Sequence, residues 1–116
     1  MAKLPDAESA CIDQRKVSDY LLNLRHPDGG PKAAFFIRFG FGPDNPQALI
    51  DALLAHGRSN SVARLQKKEF GTSYIVEGPL NTPDGRNPNL RTVWIIEIDG
   101  GAPYFVTAVP LKGGGS

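Results

Sequence analysis

The segment Arg25-His26-Pro27-Asp28-Gly29-Gly30-Pro31-Lys32 gathers an imidazole, a carboxylate, two glycines and an ammonium around one proline-flanked turn. Pro31 suits the first position of a helix, so the segment lies where unpaired backbone N–H groups begin a helical run. Such groups favour an anion, and glycine lets an anion approach the backbone. Gly29 and Gly30 therefore read as phosphate contacts, with the His26 imidazole beside them. Lys32 adds to this reading, because a cation in the first helical turn opposes the helix dipole by about 0.3–1 kcal/mol and calls for a reason other than helix stability. The plainer alternative makes His26-Pro27 a helix stop, Asp28-Gly29 a turn and Lys32 a solvated side chain.

Further candidates lie on strand-like sequence. Arg91-Thr92-Val93-Trp94 sits in the strongest alternating pattern, and that alternation puts Arg91 on the opposite face from Thr92 and Trp94. A turn centred on Gly100-Gly101 pairs positions whose numbers sum to about 200, which sets Thr107 opposite Thr92. Two facing hydroxyls either supply donors to a phosphate or only stabilise the sheet. In Phe70-Gly71-Thr72-Ser73-Tyr74, Tyr74 either packs on the sheet or offers a phenol to the same phosphate. His56 falls in the last turn of a helical pattern, where histidine suits the dipole and capping is the favoured role.

The elements that must position these residues divide the chain in two. Asp13 caps a helix with Val17, Leu21 and Leu24 on one buried face, ended by His26-Pro27. Pro31 opens a second, apolar helix that reads as centrally buried and stops at Gly40 or Gly42. Asp44 or Asn45 caps a third, with Pro46 in its first turn and a stop at Gly57. From Ser61 the preference turns to strands: Val62 to Phe70, Ser73 to Glu77, Leu90 to Ile98 and Tyr104 to Val109, with an exposed loop from Gly78 to Asn89. Together they predict an α+β domain, three N-terminal helices packed on one face of a four-stranded antiparallel curved sheet. Residues 13–111 form this domain, residues 1–12 an N-terminal tail, and residues 112–116 a flexible Gly/Ser tail.

Composition narrows the functions. The chain has 116 residues and a formal net charge of +1, with seven basic and seven acidic residues up to position 60 and six against five after it. This balance argues against DNA coating, which needs a basic excess. One cysteine, Cys11, and two separated histidines provide neither disulfide nor metal site, so no metal and no cofactor are expected. Without a long apolar run or a secretory leader, the expectation is a cytoplasmic protein that does not enter the membrane. No Walker loop, dinucleotide fingerprint, nucleophile elbow or HExxH motif is present.

The string His26-Pro27-Asp28-Gly29-Gly30-Pro31-Lys32-Ala33 with Phe35-Phe36, followed by Gly71, Tyr74, Arg91-Thr92-Val93-Trp94 and Pro103, Val106, Thr107, Pro110, resembles a family of small bacterial domains of unknown function. The likeness runs from Val17 to Pro110. Such domains look related to the barnase, EndoU, colicin and RelE-like group of metal-independent ribonucleases, which occur as toxin modules. That resemblance implies an endoribonuclease-like toxin domain acting on RNA by 2′-hydroxyl attack. It would use His26 as acid or base, Lys32 as phosphate clamp and Thr92 and Thr107 as sheet-borne donors. Gly29, Gly30, Arg91 and Tyr74 are the candidate substrate contacts. The alternative is a non-catalytic binding module, such as an antitoxin, immunity or accessory protein. Expected partners are accordingly RNA or another phosphorylated ligand, and an antitoxin or immunity protein.

Overall fold

The computed structural model describes residues 3–28 and 30–111. The expected α+β architecture is present. Its first helix, α1, Gln14–Lys16, starts where the Asp13 side chain accepts a hydrogen bond from the Arg15 backbone N–H at 3.0 Å. It continues as a π-helical turn, Val17–Leu21, closed by Leu22 N–H donating to the Val17 carbonyl at 2.8 Å. Val17 and Leu21 are buried, but Leu24 is 61% exposed. The π turn ends the helix before His26-Pro27, so the periodicity that would have buried Leu24 no longer applies.

Helix α2, Gly30–Arg38, buries one face through Gly30, Ala33 and Phe36. It is an amphipathic surface helix and not the centrally buried one that its composition implies. Helix α3, Pro46–Ser59, is the longest and buries Leu49, Ile50, Leu53, His56 and Gly57. Gly57 does not stop it. Glycine at this point lets α3 approach the sheet closely, since a Cβ there would lie 2.8 Å from Trp94 Cζ2.

The strands β1, Val62–Lys68, β2, Gly71–Pro79, β3, Asn89–Glu97, and β4, Tyr104–Pro110, form one antiparallel sheet in sequential order. Irregularities between Val62 and Arg64 and between Val93 and Trp94 interrupt the ladder and curve the sheet. Helix α3 packs on β2 and β3, and α2 reaches β4. The core between the layers centres on Trp94, whose ring meets Phe105 edge-on at 5.5 Å, with Phe36, Leu53, Val76 and Leu90 around it. The loop after β2, expected to be exposed, is anchored by buried Leu80 and tied back to α2: Arg86 donates to the Arg38 carbonyl at 2.8 Å and lies 4.4 Å from the Phe39 ring centre.

Candidate functional site

Lys32 stands in the first turn of α2 and is half-buried against the edge of β4. Its Nζ donates to Tyr20 Oη at 2.8 Å and to Thr107 Oγ1 at 3.0 Å. The π turn presents Tyr20, and β4 presents Thr107, so three elements converge on one ammonium. These two bonds offset the unfavourable dipole at the start of α2 and hold the cation in place. The hydrogen bond from Lys32 is the main reason that the Tyr20 phenol is held below its ordinary pKa; burial works against it, and Thr107 contributes a smaller effect in the same direction as Lys32. A phenol lowered in this way gives up its proton more readily than a free one.

His26 packs edge-on against Tyr20, ring centres 5.0 Å apart. Its Nδ1 accepts a hydrogen bond from the Asp28 backbone N–H at 3.0 Å. With Nδ1 an acceptor, the neutral ring carries its proton on Nε2. Tyr20, His26 and Thr107 line an open cleft of about 570 Å³, together with Asp13, Arg15, Lys16, Asp19 and Val106. Lys16 closes one wall by donating to the Val106 carbonyl at 2.8 Å.

Thr92 does not join this group. The register sets Thr92 against Ala108 and Thr107 against Val93, so the expected facing pair of threonines does not form. The numbering sum was off by one because a bulge at Val106 inserts an extra residue between the Trp94–Phe105 and Val93–Thr107 pairs. Thr92 is fully buried instead. Its Oγ1 accepts from Trp94 Nε1 at 2.8 Å and lies 3.0 Å from His56 Nδ1. His56 Nε2 faces two carbonyls, Gly78 at 3.1 Å and Leu90 at 2.9 Å. A nitrogen between two acceptors must carry the proton, so Nδ1 accepts from the Thr92 hydroxyl. Burial lowers the pKa of His56 from its ordinary value of 6.5. Thus His56 is an internal tie between α3 and the sheet, not the helix-end cap its position implied.

The remaining candidates occupy other places. Arg91 makes a two-nitrogen ion pair with Glu77, Nε at 2.8 Å and an Nη at 2.7 Å, in a recess with Ala63, Arg64 and Ile75. Tyr74 lies on β2 between Leu65 and Trp94, two strands from Thr107. Gly30 donates its N–H to the His26 carbonyl at 2.8 Å, and a Cβ at that position would lie 2.8 Å from the Leu24 carbonyl oxygen. Its lack of a side chain thus serves the closing of the loop onto α2. Gly29, like the Gly/Ser tail, lies outside the described residues. Tyr20 is the member of the site that the chemical motifs did not pick out. Its only signal was a polar aromatic beside the buried pair Val17 and Leu21, and Lys32 is twelve residues away in the chain.

Among the described residues, no group of three or more His, Cys, Asp or Glu side chains could hold a metal ion, and no helix is long and apolar enough to cross a membrane. The structure defines an α+β domain with helices on one face of an antiparallel meander and a lysine–tyrosine–threonine cluster at one sheet edge. Residues 3–112 match the family described as Domain of unknown function (DUF6883), and the chain belongs to that family. It is also similar in fold to a chain of the contact-dependent growth inhibition toxin–immunity protein complex from Klebsiella pneumoniae 342, with a TM-score of 0.70 at 20% identity over 95% of this chain and 100% of that chain. No curated protein matches the sequence.

Proposed function

We propose that residues 13–111 form a metal-independent endoribonuclease-like toxin domain with its reacting centre at Lys32. The observation that carries this reading is that Lys32 holds both Tyr20 and Thr107, two residues that line an open cleft, with His26 of the same lining packed against the tyrosine. In the reaction a ribose 2′-oxygen bonds to the adjacent phosphorus, the bond to the 5′-oxygen breaks, and the products are a 2′,3′-cyclic phosphate and a 5′-hydroxyl. One group must take the 2′-proton and another must supply a proton to the 5′-oxygen. Tyr20, held below its ordinary pKa by Lys32, is suited to accept as the phenolate, which becomes the phenol on taking the proton. His26 is suited to the donor side in its imidazolium form, which gives one ring proton to the 5′-oxygen and is left as the neutral imidazole. Lys32 has a third N–H to direct at a phosphate oxygen, and the Thr107 hydroxyl stands beside it. Lys16, Arg15 and Arg25 give RNA a local basic approach on an otherwise nearly neutral chain. The fold shared with a chain from a toxin–immunity complex supports this class of role, and the cytoplasm, where RNA is found, is the compartment it implies.

The test is incubation with total RNA in EDTA, with products read for 2′,3′-cyclic phosphate ends. Wild type should generate them, and Tyr20→Phe should do so about a hundredfold more slowly. Equal rates for the two proteins would remove Tyr20 from the chemistry, and an absence of cyclic ends with wild type would end the ribonuclease reading.

A second reading, a non-catalytic antitoxin, immunity or accessory module, is favoured by the carboxylates of Asp13 and Asp19 in the same cleft, which oppose a phosphate. It expects a stoichiometric protein complex and unaffected growth of cells that overproduce the chain. Growth arrest that Lys32→Ala abolishes would decide against it.

A further inference from the structure

The two edges of the sheet are finished differently. Along β4 the chain covers its own edge: Cys11 bridges Tyr104 in parallel, donating to the Pro103 carbonyl and accepting from the Phe105 N–H, each at 3.0 Å. Along β1, among the described residues, only the antiparallel bridge from Lys3 to Ser61 touches the outer edge, just before the strand begins. From Ala63 to Lys68 every residue of β1 is exposed. The pairing from Arg64 to Lys68 is regular, so no bulge twists this stretch out of use. A regular edge presents alternate N–H and carbonyl groups that another strand can satisfy.

The side chains decide which strand. Arg64 and Lys68 lie on one face of β1 and Lys67 on the other, with Leu65 48% exposed between them. A second copy of β1 would set these cations against one another, which disfavours self-pairing. Acidic residues opposite them would gain both the ladder and the charge. RNA would use the cations and leave the ladder empty. We propose that the outer edge of β1 binds an extended acidic segment of a partner protein as an added antiparallel strand, in the direction that the Lys3–Ser61 bridge already follows. The site uses none of Lys32, Tyr20, His26 or Thr107, so it stands or falls separately from the ribonuclease reading.

A labelled peptide, Glu-Glu-Thr-Val-Glu-Val-Thr, sets its carboxylates opposite Lys68, Lys67 and Arg64, and the same peptide with lysine in place of glutamate is the control. The acidic peptide should bind the full chain and slow amide exchange in residues 64–68, with the control weaker by about tenfold or more. The double variant Lys67→Glu, Lys68→Glu, at exposed positions that leave the core intact, should reverse the preference. Equal binding of both peptides, or protection outside β1, would overturn the proposal. So would displacement of the peptide by an oligouridylate, which would assign the edge to nucleic acid, or dimerisation of the chain alone with the same protection pattern, which would assign it to a second copy.

Discussion

Two polar clusters stand at opposite depths of this small protein. At the β4 edge, Lys32 binds Tyr20 and Thr107 beside an open cleft; beneath α3, His56 binds Thr92, and Thr92 accepts from Trp94. Both link a helix to the sheet through a threonine hydroxyl. They differ in solvent access. The outer cluster keeps a charge and borders space that a ligand can enter, whereas the inner one is sealed and satisfied, with no buried side-chain polar atom among the described residues left without a partner. Burial removes charge and fixes geometry, so a histidine that could titrate elsewhere becomes a structural tie here. The same residue types thus hold a charge beside solvent at an edge and give cohesion in a core.

Substitutions can break or sharpen this contrast. The largest effect expected is on activity: Lys32→Ala should lower RNA cleavage by about 10²–10³-fold, since a positioned charged donor is lost, while stability falls by only about 1 kcal/mol. Initial cleavage rates beside urea midpoints separate the two quantities, and a variant that loses stability and activity in proportion would make the outer cluster structural as well. His56→Ala should act in the reverse sense. It strips partners from the Gly78 and Leu90 carbonyls and leaves a cavity, at a cost of about 3 kcal/mol, with cleavage by the folded fraction unchanged. Gly57→Ala should cost about 1–3 kcal/mol, because the new methyl meets the Trp94 ring on a rigid helix–sheet contact; calorimetry on that variant measures whether α3 can shift away.

The smallest effect is a pH dependence. The folded-state pKa of His56 lies below its ordinary 6.5, so the unfolded chain takes up a proton that the native chain refuses. The stability that this provides is complete above 6.5 and is lost as pH falls from there towards the folded pKa, with a slope of at most about 1.4 kcal/mol per unit. Urea melts at pH 7.5 and 5.5 should show this fall in wild type and a shallower one in His56→Gln.

Much of this arrangement is legible in the residues alone. Asp13, Pro31 and Pro46 mark helix starts by mechanisms that act within a few residues, and the alternation around Trp94 marks the central strand and its buried face. Lys32 was conspicuous because a cation at a helix start needs a reason. Other features depended on distant partners. Gly57 looks like a helix stop until Trp94 packs against it, and Leu24 looks buried until the π turn ends the helix at Leu21. One bulged residue moved Thr107 out of register with Thr92, a change that turn composition does not encode.

By itself, then, the sequence determined the α+β class, the order of elements, the buried face of β3 around Trp94 and the conspicuous place of Lys32 at a helix start, because propensity, capping and periodicity are local. Only the tertiary structure decided which groups meet Lys32. It brought Tyr20 and Thr107 to the ammonium and sent Thr92 into the core with His56, because those pairings depend on strand register and on how closely helices approach the sheet. Both are settled by packing between residues far apart in the chain.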